Sequence, residues 1–285
     1  MADAHNTATT SIAVVMACHN RRNLTVTCLR SLKEQTILSG EANKDGYSLS
    51  LWLLDDASTD GTAEAVKKEW PDATIITGDG KRFWCGGMRE AWERAAATDP
   101  DYFLLMNDDT TLEHGALEQL LALAPTPEDE VIAVAAIADP RSGRVVFGGH
   151  KGHALTPVEP AGKAEHCDTM NANCALITRT VHRTLGGLHR AYTHSMGDFD
   201  YGFAATRHGI QILQSRHILG FSEPNAVKGT WRDKDLNMRE RLRLLWFSPT
   251  RGLPFFEWCI YCFRNHGWCW PYKCLSPTIR ILTGK

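Results

Sequence analysis

The stretch Asp101-Tyr-Phe-Leu-Leu-Met-Asn-Asp-Asp-Thr-Thr-Leu112 constrains the fold more than any other. Residues 103–106 are wholly apolar, long enough for a strand buried on both faces. The run stops at Asn107-Asp108-Asp109, which puts carboxylates at the carboxyl end of that strand. Crevices outside the carboxyl ends of parallel strands are where open α/β sheets bind ligands. An amide and two acids supply hard oxygen donors, which suit Mg²⁺ or Mn²⁺ held between protein and a diphosphate. The competing reading is a polar turn in which Asp109 or Thr110 caps a helix expected at about 113–124.

The same pattern recurs upstream. Residues 11–17 read as a buried first strand, followed by the polar loop Cys18-His19-Asn20-Arg21-Arg22 and a helix at about 24–35. A solvated insertion is expected at 39–46. A second strand at 48–54 ends in Asp55-Asp56-Ala57-Ser58-Thr59-Asp60-Gly61-Thr62, before a helix at about 62–70. Ser58, Thr59 or Asp60 serves for the cap, whereas Asp55 and Asp56 come too early, which favours a ligand role. A third strand at 74–77 leads to a loop containing Trp84 and Gly86-Gly87, then a helix at 88–97. The two glycines let backbone approach a ligand or open that helix. Trp84 is a candidate to stack on a base or sugar, or it is simply packed. Strand and helix alternate as βαβαβαβ up to residue 112, which predicts an α/β fold with a doubly wound, mainly parallel sheet.

Beyond a turn at 125–130, residues 131–137 form another apolar strand, with a short continuation at 144–147. Residues 148–167 show no periodicity and read as a long surface excursion near the site. A strand returns at 168–178, and a helix at 179–185 is stopped by Gly186-Gly187. A further helix at about 199–208 is opened by Asp198 and Asp200 and closed by Gly209. Those acids either complement the helix dipole or supply a catalytic carboxylate at a helix N-terminus.

With 285 residues the chain fits one large α/β domain at 11–225, a flexible terminus at 1–10 and a helical extension at 226–285. The extension holds eleven Lys or Arg against four acids, although the whole chain is at −2, which gives no reason to expect nucleic acid. Leucines at 236–245 alternate with arginines at roughly helical spacing, and residues 255–271 are heavily aromatic. Such a basic, aromatic segment suits an interfacial contact with anionic membrane, or a cap packed on the main domain, and the two are compatible. No apolar run is long enough to predict a membrane-spanning helix. Residues 1–10 lack the apolar core of a signal peptide, and nine scattered cysteines fit free thiols, so a cytoplasmic protein is expected. Cys259, Cys262, Cys269, Cys274 and His266 match no standard zinc spacing.

Taken in order, these motifs resemble those of the family-2 glycosyltransferases of GT-A fold. The family's T-x-N-R-like loop corresponds to Ala17-Cys-His-Asn-Arg21, and its D-D/N-x-S-x-D-G-T segment to Asp55–Thr62. Its D-x-D-like metal motif corresponds to Asn107-Asp108-Asp109, and an E-D-x-D-like stretch to Gly197-Asp198-Phe-Asp200. Trp84–Met88 and 171–177 further resemble bacterial enzymes from surface-polysaccharide gene clusters. The resemblance implies an inverting, Mn²⁺- or Mg²⁺-dependent transfer from a nucleoside-diphosphate sugar to a saccharide or lipid-linked saccharide acceptor. It implies nucleotide contacts from Asn20, Arg21, Asp55 and Asp56, with Asp108 on ribose or metal. Ala17, Trp84, Gly86, Gly87 and Arg89 would complete the donor side. Asp109 would bind the metal, with His217 a candidate third ligand, and Asp198 would be the general base. Trp84, Asn173, Asp200 and Trp231 would line the acceptor. The departures are Ala17 or Cys18 for Thr or Ser, Asn107 for the first acid of the metal motif, and Gly197 for Glu. Two other readings remain open here. A sugar nucleotidyltransferase would want a glycine-rich loop after the first strand, which Cys18–Arg22 lacks. The second is a non-catalytic, carbohydrate- or partner-binding relative, which would have no need to keep these acids together.

Overall fold

The computed structural model describes residues 9–38 and 46–284. The expected terminus at 1–10 and insertion at 39–46 lie almost wholly outside the described residues. Side chains alternate across a strand with period two, so an all-apolar strand feeds two cores at once. Strand β1 (Thr10–Cys18) does this: Ile12, Val14 and Met16 enter one core, Ala13, Val15 and Ala17 the other. It pairs in parallel with β2 (Tyr47–Asp55), and β2 with β3 (Thr74–Thr77). Helices α1 (Arg22–Lys33) and α2 (Thr62–Glu69) cover the first core with Leu29, Leu32 and Val66. Helix α3 (Phe83–Ala96) covers the second with Met88, Ala91, Trp92 and Ala95. Strand β4 (Tyr102–Met106), buried along its whole length, pairs with the other edge of β1. The order β3-β2-β1-β4 therefore reverses direction at β1, and a crevice opens at the carboxyl ends of β1, β2 and β4.

After β4 the sheet becomes mixed. The chain continues through β5 (Thr111–Leu112), α4 (Ala116–Leu121), β6 (Val131–Ala138) and β7 (Val145–Phe147). Next come β8 (Gly149–Lys151), β9 (Thr156–Pro157), β10 (Glu165–Cys167), β11 (Thr169–Met170) and β12 (Cys174–Thr178). Helices α5 (Arg179–Leu185) and α6 (Gly197–Arg207) lead to β13 (Gln211–Phe221). The main sheet runs β10-β13-β6-β12-β4-β1-β2-β3, with β5 on β13 and β7 on β6. Strand β12 lies antiparallel between β4 and β6.

Three expectations change. The helix after Asp109 starts only at Ala116, behind Gly115 at φ 75°, because β5 first pairs with β13. Neither Asp109 nor Thr110 caps it. Residues 148–167 are not featureless: β8 and β9 join β11 in a three-stranded sheet, and β10 extends the main one. Helix α3 begins at Phe83, so Gly86 and Gly87 lie inside it. It can press that close because Gly87 has no side chain; a Cβ there would sit 2.8 Å from the Ala17 Cβ.

The C-terminal extension forms α7 (Met238–Phe247), α8 (Phe255–Asn265) and α9 (Trp270–Leu282). An Asn237–Glu240 capping box starts α7. Leu245 of α7 packs with Trp231 and Ile281, while Tyr261, Cys262 and Cys274 pack on Cys85, Tyr192 and Phe203 of the main domain. Among the described residues no helix is long and apolar enough to cross a membrane.

Candidate active site

The loops after β1 and β2 are tied to each other before they can meet any ligand. Asn20, at φ 51°, accepts from the Thr59 N–H at 2.8 Å and donates its own N–H to the Ser58 hydroxyl at 2.9 Å. His19 Nδ1 contacts the Asp56 carbonyl at 2.7 Å. Asp55 accepts from the Ser58 N–H at 2.9 Å. Both Asp56 oxygens accept backbone N–H groups, from Gly80 at 2.8 Å and Phe83 at 2.9 Å. The two buried acids thus shape the loops that end β2 and begin α3.

Asp108 and Asp109 face these loops from the end of β4. One guanidinium nitrogen of Arg21 bridges them, 3.1 Å from Asp108 and 2.6 Å from Asp109. Burial opposes the charge of Arg21, but the two carboxylates outweigh it and raise its pKa. Asp108 is 5% exposed, and its second oxygen has no hydrogen-bond partner. Burial pushes its pKa up to about 6, with Asp109 adding to the shift and Arg21 opposing it. The Ser222 hydroxyl lies 3.4 Å from Asp109. Asn107 does a different job: its side chain accepts from the Trp84 indole at 2.7 Å, and its N–H donates to the Asn173 carbonyl at 3.0 Å. Trp84 and Asn173 are thereby fixed beside the acid pair.

Asp198 stands in the first turn of α6, which begins behind Met196 at φ 69°. Its carboxylate accepts from the Phe199 N–H at 2.9 Å and from Asn171 and the Ala172 N–H at 3.3 Å each. Burial raises its pKa, and those donors oppose the rise. The residues before it, 193–195, pack on the start of α3: Gly86 N–H donates to the Thr193 carbonyl and the Cys85 thiol to that of His194. The segment leading to Asp198, through Cys85 and Gly86, and Asp56, through Phe83, therefore both meet the first turn of α3.

Four expected positions belong elsewhere. Asp200, 1% exposed, is consumed by Arg264 at 2.9 and 3.0 Å and by Asn265 at 2.8 Å, so it anchors α8 rather than facing an acceptor. Trp231 is buried with Leu245 and Ile281. Arg89 donates to the carbonyls of His189 and Tyr192, at 3.2 Å each, and holds that loop. His217 is exposed in the middle of β13, five residues before Ser222 on an extended strand. It is Ser222, not His217, that lies against Asp109. Among the described residues no cluster of three or more His, Cys, Asp or Glu is placed to hold a metal.

The structure also adds a residue. His194 has a buried Nδ1 without a hydrogen-bond partner, and its ring lies 6.4 Å from that of Phe83. Burial and the charge of Arg21 lower its pKa. Its only sequence signal is that it stands four residues before Asp198, and no spacing rule links it to Arg21.

Comparison with known proteins agrees with this geometry. The model of glycosyl transferase family 2 matches residues 13–186, more than half of the chain. No curated protein matches it in sequence. Among solved structures it resembles the mannosyltransferase PcManGT from Pyrobaculum calidifontis in complex with GDP-Man and Mn²⁺, at 16% identity and TM-score 0.56, over 98% of this chain and 75% of that one. It resembles S. aureus TarS 1–349 in complex with UDP-GlcNAc at 11% identity and TM-score 0.59, over 96% and 91% respectively. GalNAc-T7 with UDP, GalNAc and Mn²⁺ aligns at 12% identity and TM-score 0.56, over 98% of this chain and 56% of that one. At such identities the structural likenesses establish the fold alone, the mixed and mostly parallel GT-A sheet. The family match, which runs from β1 to α5 and takes in the loops that carry Asp55, Asp56, Asp108 and Asp109, goes further: this chain belongs to glycosyl transferase family 2 and is a glycosyltransferase.

Proposed function

We propose that the protein moves a sugar, with inversion, from a nucleoside-diphosphate sugar to a hydroxyl of a saccharide in surface-polysaccharide synthesis. The acceptor is a saccharide, free or lipid-linked, and the protein works in the cytoplasm in peripheral contact with the membrane. The observation that carries the donor reading is the Asp108–Asp109 pair, bridged by one cationic nitrogen and left with one buried oxygen unpartnered. Two adjacent carboxylates, one of them with a buried oxygen that has no partner, fit a divalent cation. The remaining ligands would come from the diphosphate and water. Asp109 and Asp108 would hold Mn²⁺ or Mg²⁺, which when bound stabilises the charge that builds on the leaving diphosphate. The complexes of PcManGT and GalNAc-T7 with Mn²⁺, and of TarS with UDP-GlcNAc, support the same ligand class.

The chain's own groups divide the remaining work. Arg21 is the cation next to the acids, positioned to pair with a donor phosphate. Asn20, Asp55 and Asp56 hold the two loops that enclose the nucleoside. Ala17, Gly86 and Gly87 are spent on packing α3 against the sheet, and Trp84 and Asn173 border the transferred sugar and the acceptor. Asp198 takes the proton from the acceptor hydroxyl as that oxygen attacks the anomeric carbon on the face opposite the diphosphate, and one such displacement inverts the centre. Its three donors fix the direction of the carboxylate, and burial makes it a stronger base than an exposed aspartate.

A thermal-shift panel of nucleoside diphosphates and their sugars, with and without Mn²⁺, tests this directly. A ligand at 100 times its Kd adds about 2.7 kcal/mol. Stabilisation by one nucleotide that requires the metal is expected and would identify the base. No shift with any of them would remove the donor-site reading.

A further inference from the structure

The C-terminal helices keep one face unpartnered. On α9, Tyr272, Leu275, Ile279 and Leu282 are all exposed, and their spacing of three, four and three residues puts them on one side of the helix. The opposite side, Cys274, Pro277 and Ile281, is buried. On α8, Phe256 and Phe263 stand seven residues apart, 79% and 66% exposed, while Tyr261, Cys262 and Asn265 face inward. Trp268, in the turn between the two helices, is 91% exposed. Seven large apolar side chains left exposed on two packed helices and the turn between them mark an interaction surface.

Its charge identifies the partner. From Trp258 to the end of the chain there is no Asp or Glu, while Arg264, Lys273, Arg280 and Lys285 are basic. Arg264 is engaged by Asp200, and among the described residues neither Lys273 nor Arg280 is in an ion pair. The leucine-rich α7, which the sequence also offers as a membrane element, differs: its Leu245 is buried, and Leu242 and Leu244 pack against the same cluster. We propose that the outer face of the α8–α9 hairpin docks on the headgroup region of an anionic lipid bilayer. This deepens the peripheral-contact reading above and names the surface that makes it. Aromatic side chains with a polar tip, such as Trp268 and Tyr272, suit that boundary, and lysine and arginine stems reach past apolar contacts to the phosphates. Helices too short to span lie in the interface instead. A second copy of the chain is a poorer occupant, because two such faces would bring like charges together.

The test uses the full chain and vesicles of phosphatidylcholine with or without phosphatidylglycerol. Co-sedimentation with the anionic vesicles at low salt is expected, weakening as salt is raised. Each Lys or Arg near such a surface is worth about 1 kcal/mol, roughly fivefold in partitioning, so Lys273→Gln with Arg280→Gln should weaken binding about 25-fold. Trp268→Ser with Tyr272→Ser should weaken it as well. These side chains are wholly or partly exposed, so both variants should keep the wild-type melting temperature. Their nucleotide-dependent thermal shift, read without vesicles, should also be unchanged, which separates failure of this proposal from failure of the donor reading. Wild-type protein that ignores anionic vesicles, binds neutral ones equally, or binds no less after either double substitution overturns the proposal. So does a dimer that Trp268→Ser with Tyr272→Ser dissolves.

Discussion

Replacing Asp108 by Asn should stabilise the ligand-free protein and abolish its metal-dependent response to nucleotide. Asp108 is 5% exposed, and its pKa rises from 3.8 to about 6, chiefly through burial. Below pH 3.8 folded and unfolded chains both hold this proton. Between 3.8 and about 6 the folded chain keeps a proton that the unfolded chain has lost, so stability falls as pH rises through that window. Above it the full cost of ionising Asp108 in the fold is present, about 3 kcal/mol at 1.36 kcal/mol per pH unit. Asn keeps the shape of the neutral acid and avoids that cost. For a domain of this size 1 kcal/mol moves Tm by about 2–4 °C, so a rise of several degrees is expected at pH 8.

The pH dependence makes this prediction specific. The advantage of Asp108→Asn should shrink as pH is lowered through 6 and be nearly gone at pH 4, where wild type carries the proton itself. Differential scanning fluorimetry across pH 4–8, repeated with Mn²⁺ and the cognate nucleotide, reads both effects. The wild-type protein should gain its metal-dependent stabilisation only where Asp108 is ionised, because metal and proton compete for the same oxygen. A variant less stable than wild type at pH 8, or one that keeps the metal-dependent nucleotide shift, would refute the reasoning.

Asp198→Asn should leave the nucleotide shift unchanged and lower transfer by roughly 10²–10⁴-fold, measured as acceptor-dependent release of nucleoside diphosphate. Because the Asp198 carboxylate must be ionised to accept a proton and burial raises its pKa, kcat should fall with acidity earlier than an ordinary aspartate would allow; a profile flat to pH 4 would count against its role. Gly87→Ala puts a Cβ 2.8 Å from that of Ala17 and 3.2 Å from Leu54, and overpacking of this kind should cost about 1–3 kcal/mol in urea unfolding. Arg264→Met leaves buried Asp200 with Asn265 as its remaining side-chain partner; stripping a fully buried pair costs about 3–5 kcal/mol, and with Arg264 about one-third exposed, roughly 2 kcal/mol is expected.

Where burial on both faces decides a segment, the sequence is legible. The apolar runs at 11–17 and 103–106 became β1 and β4 because no other element hides a short run with so few polar atoms. The polar clusters at their carboxyl ends, at 18–22 and 107–109, were legible for the same reason, since a polar cluster that interrupts such a run must lie at the rim of the sheet. The helix at 179–185 kept its bounds because Thr178 caps it and Gly186 ends it, both local devices. What escaped depended on distant partners. Nothing near β12 says that it will run antiparallel between β4 and β6, and the small sheet of β8, β9 and β11 is built from strands of two or three residues. Asp200 reads as half of an acidic motif until Arg264, 64 residues later, is seen on its carboxylate.

The split between Asp198 and Asp200 follows from helix geometry. With 3.6 residues per turn, two residues on is about 200° around the axis, so neighbours in an acid-x-acid pattern must face nearly opposite ways. Asp198 turns to Asn171 and the Ala172 N–H at the mouth of the crevice. Asp200 must then turn inward, where a lone carboxylate would be costly unless paired. The extension supplies that pairing through α8, whose Arg264 and Asn265 take Asp200 while Asn265 also accepts from Arg207 at the far end of α6. Glu257 of the same helix accepts from the backbone and hydroxyl of Thr193, just before His194. The segment from Thr193 to Arg207, which carries His194 and Asp198, is therefore clasped at three points by one helix of the extension. The outer side of that helix carries Phe256 and Phe263, so the surface proposed to meet lipid and the carboxylate proposed to take the proton belong to one packed unit.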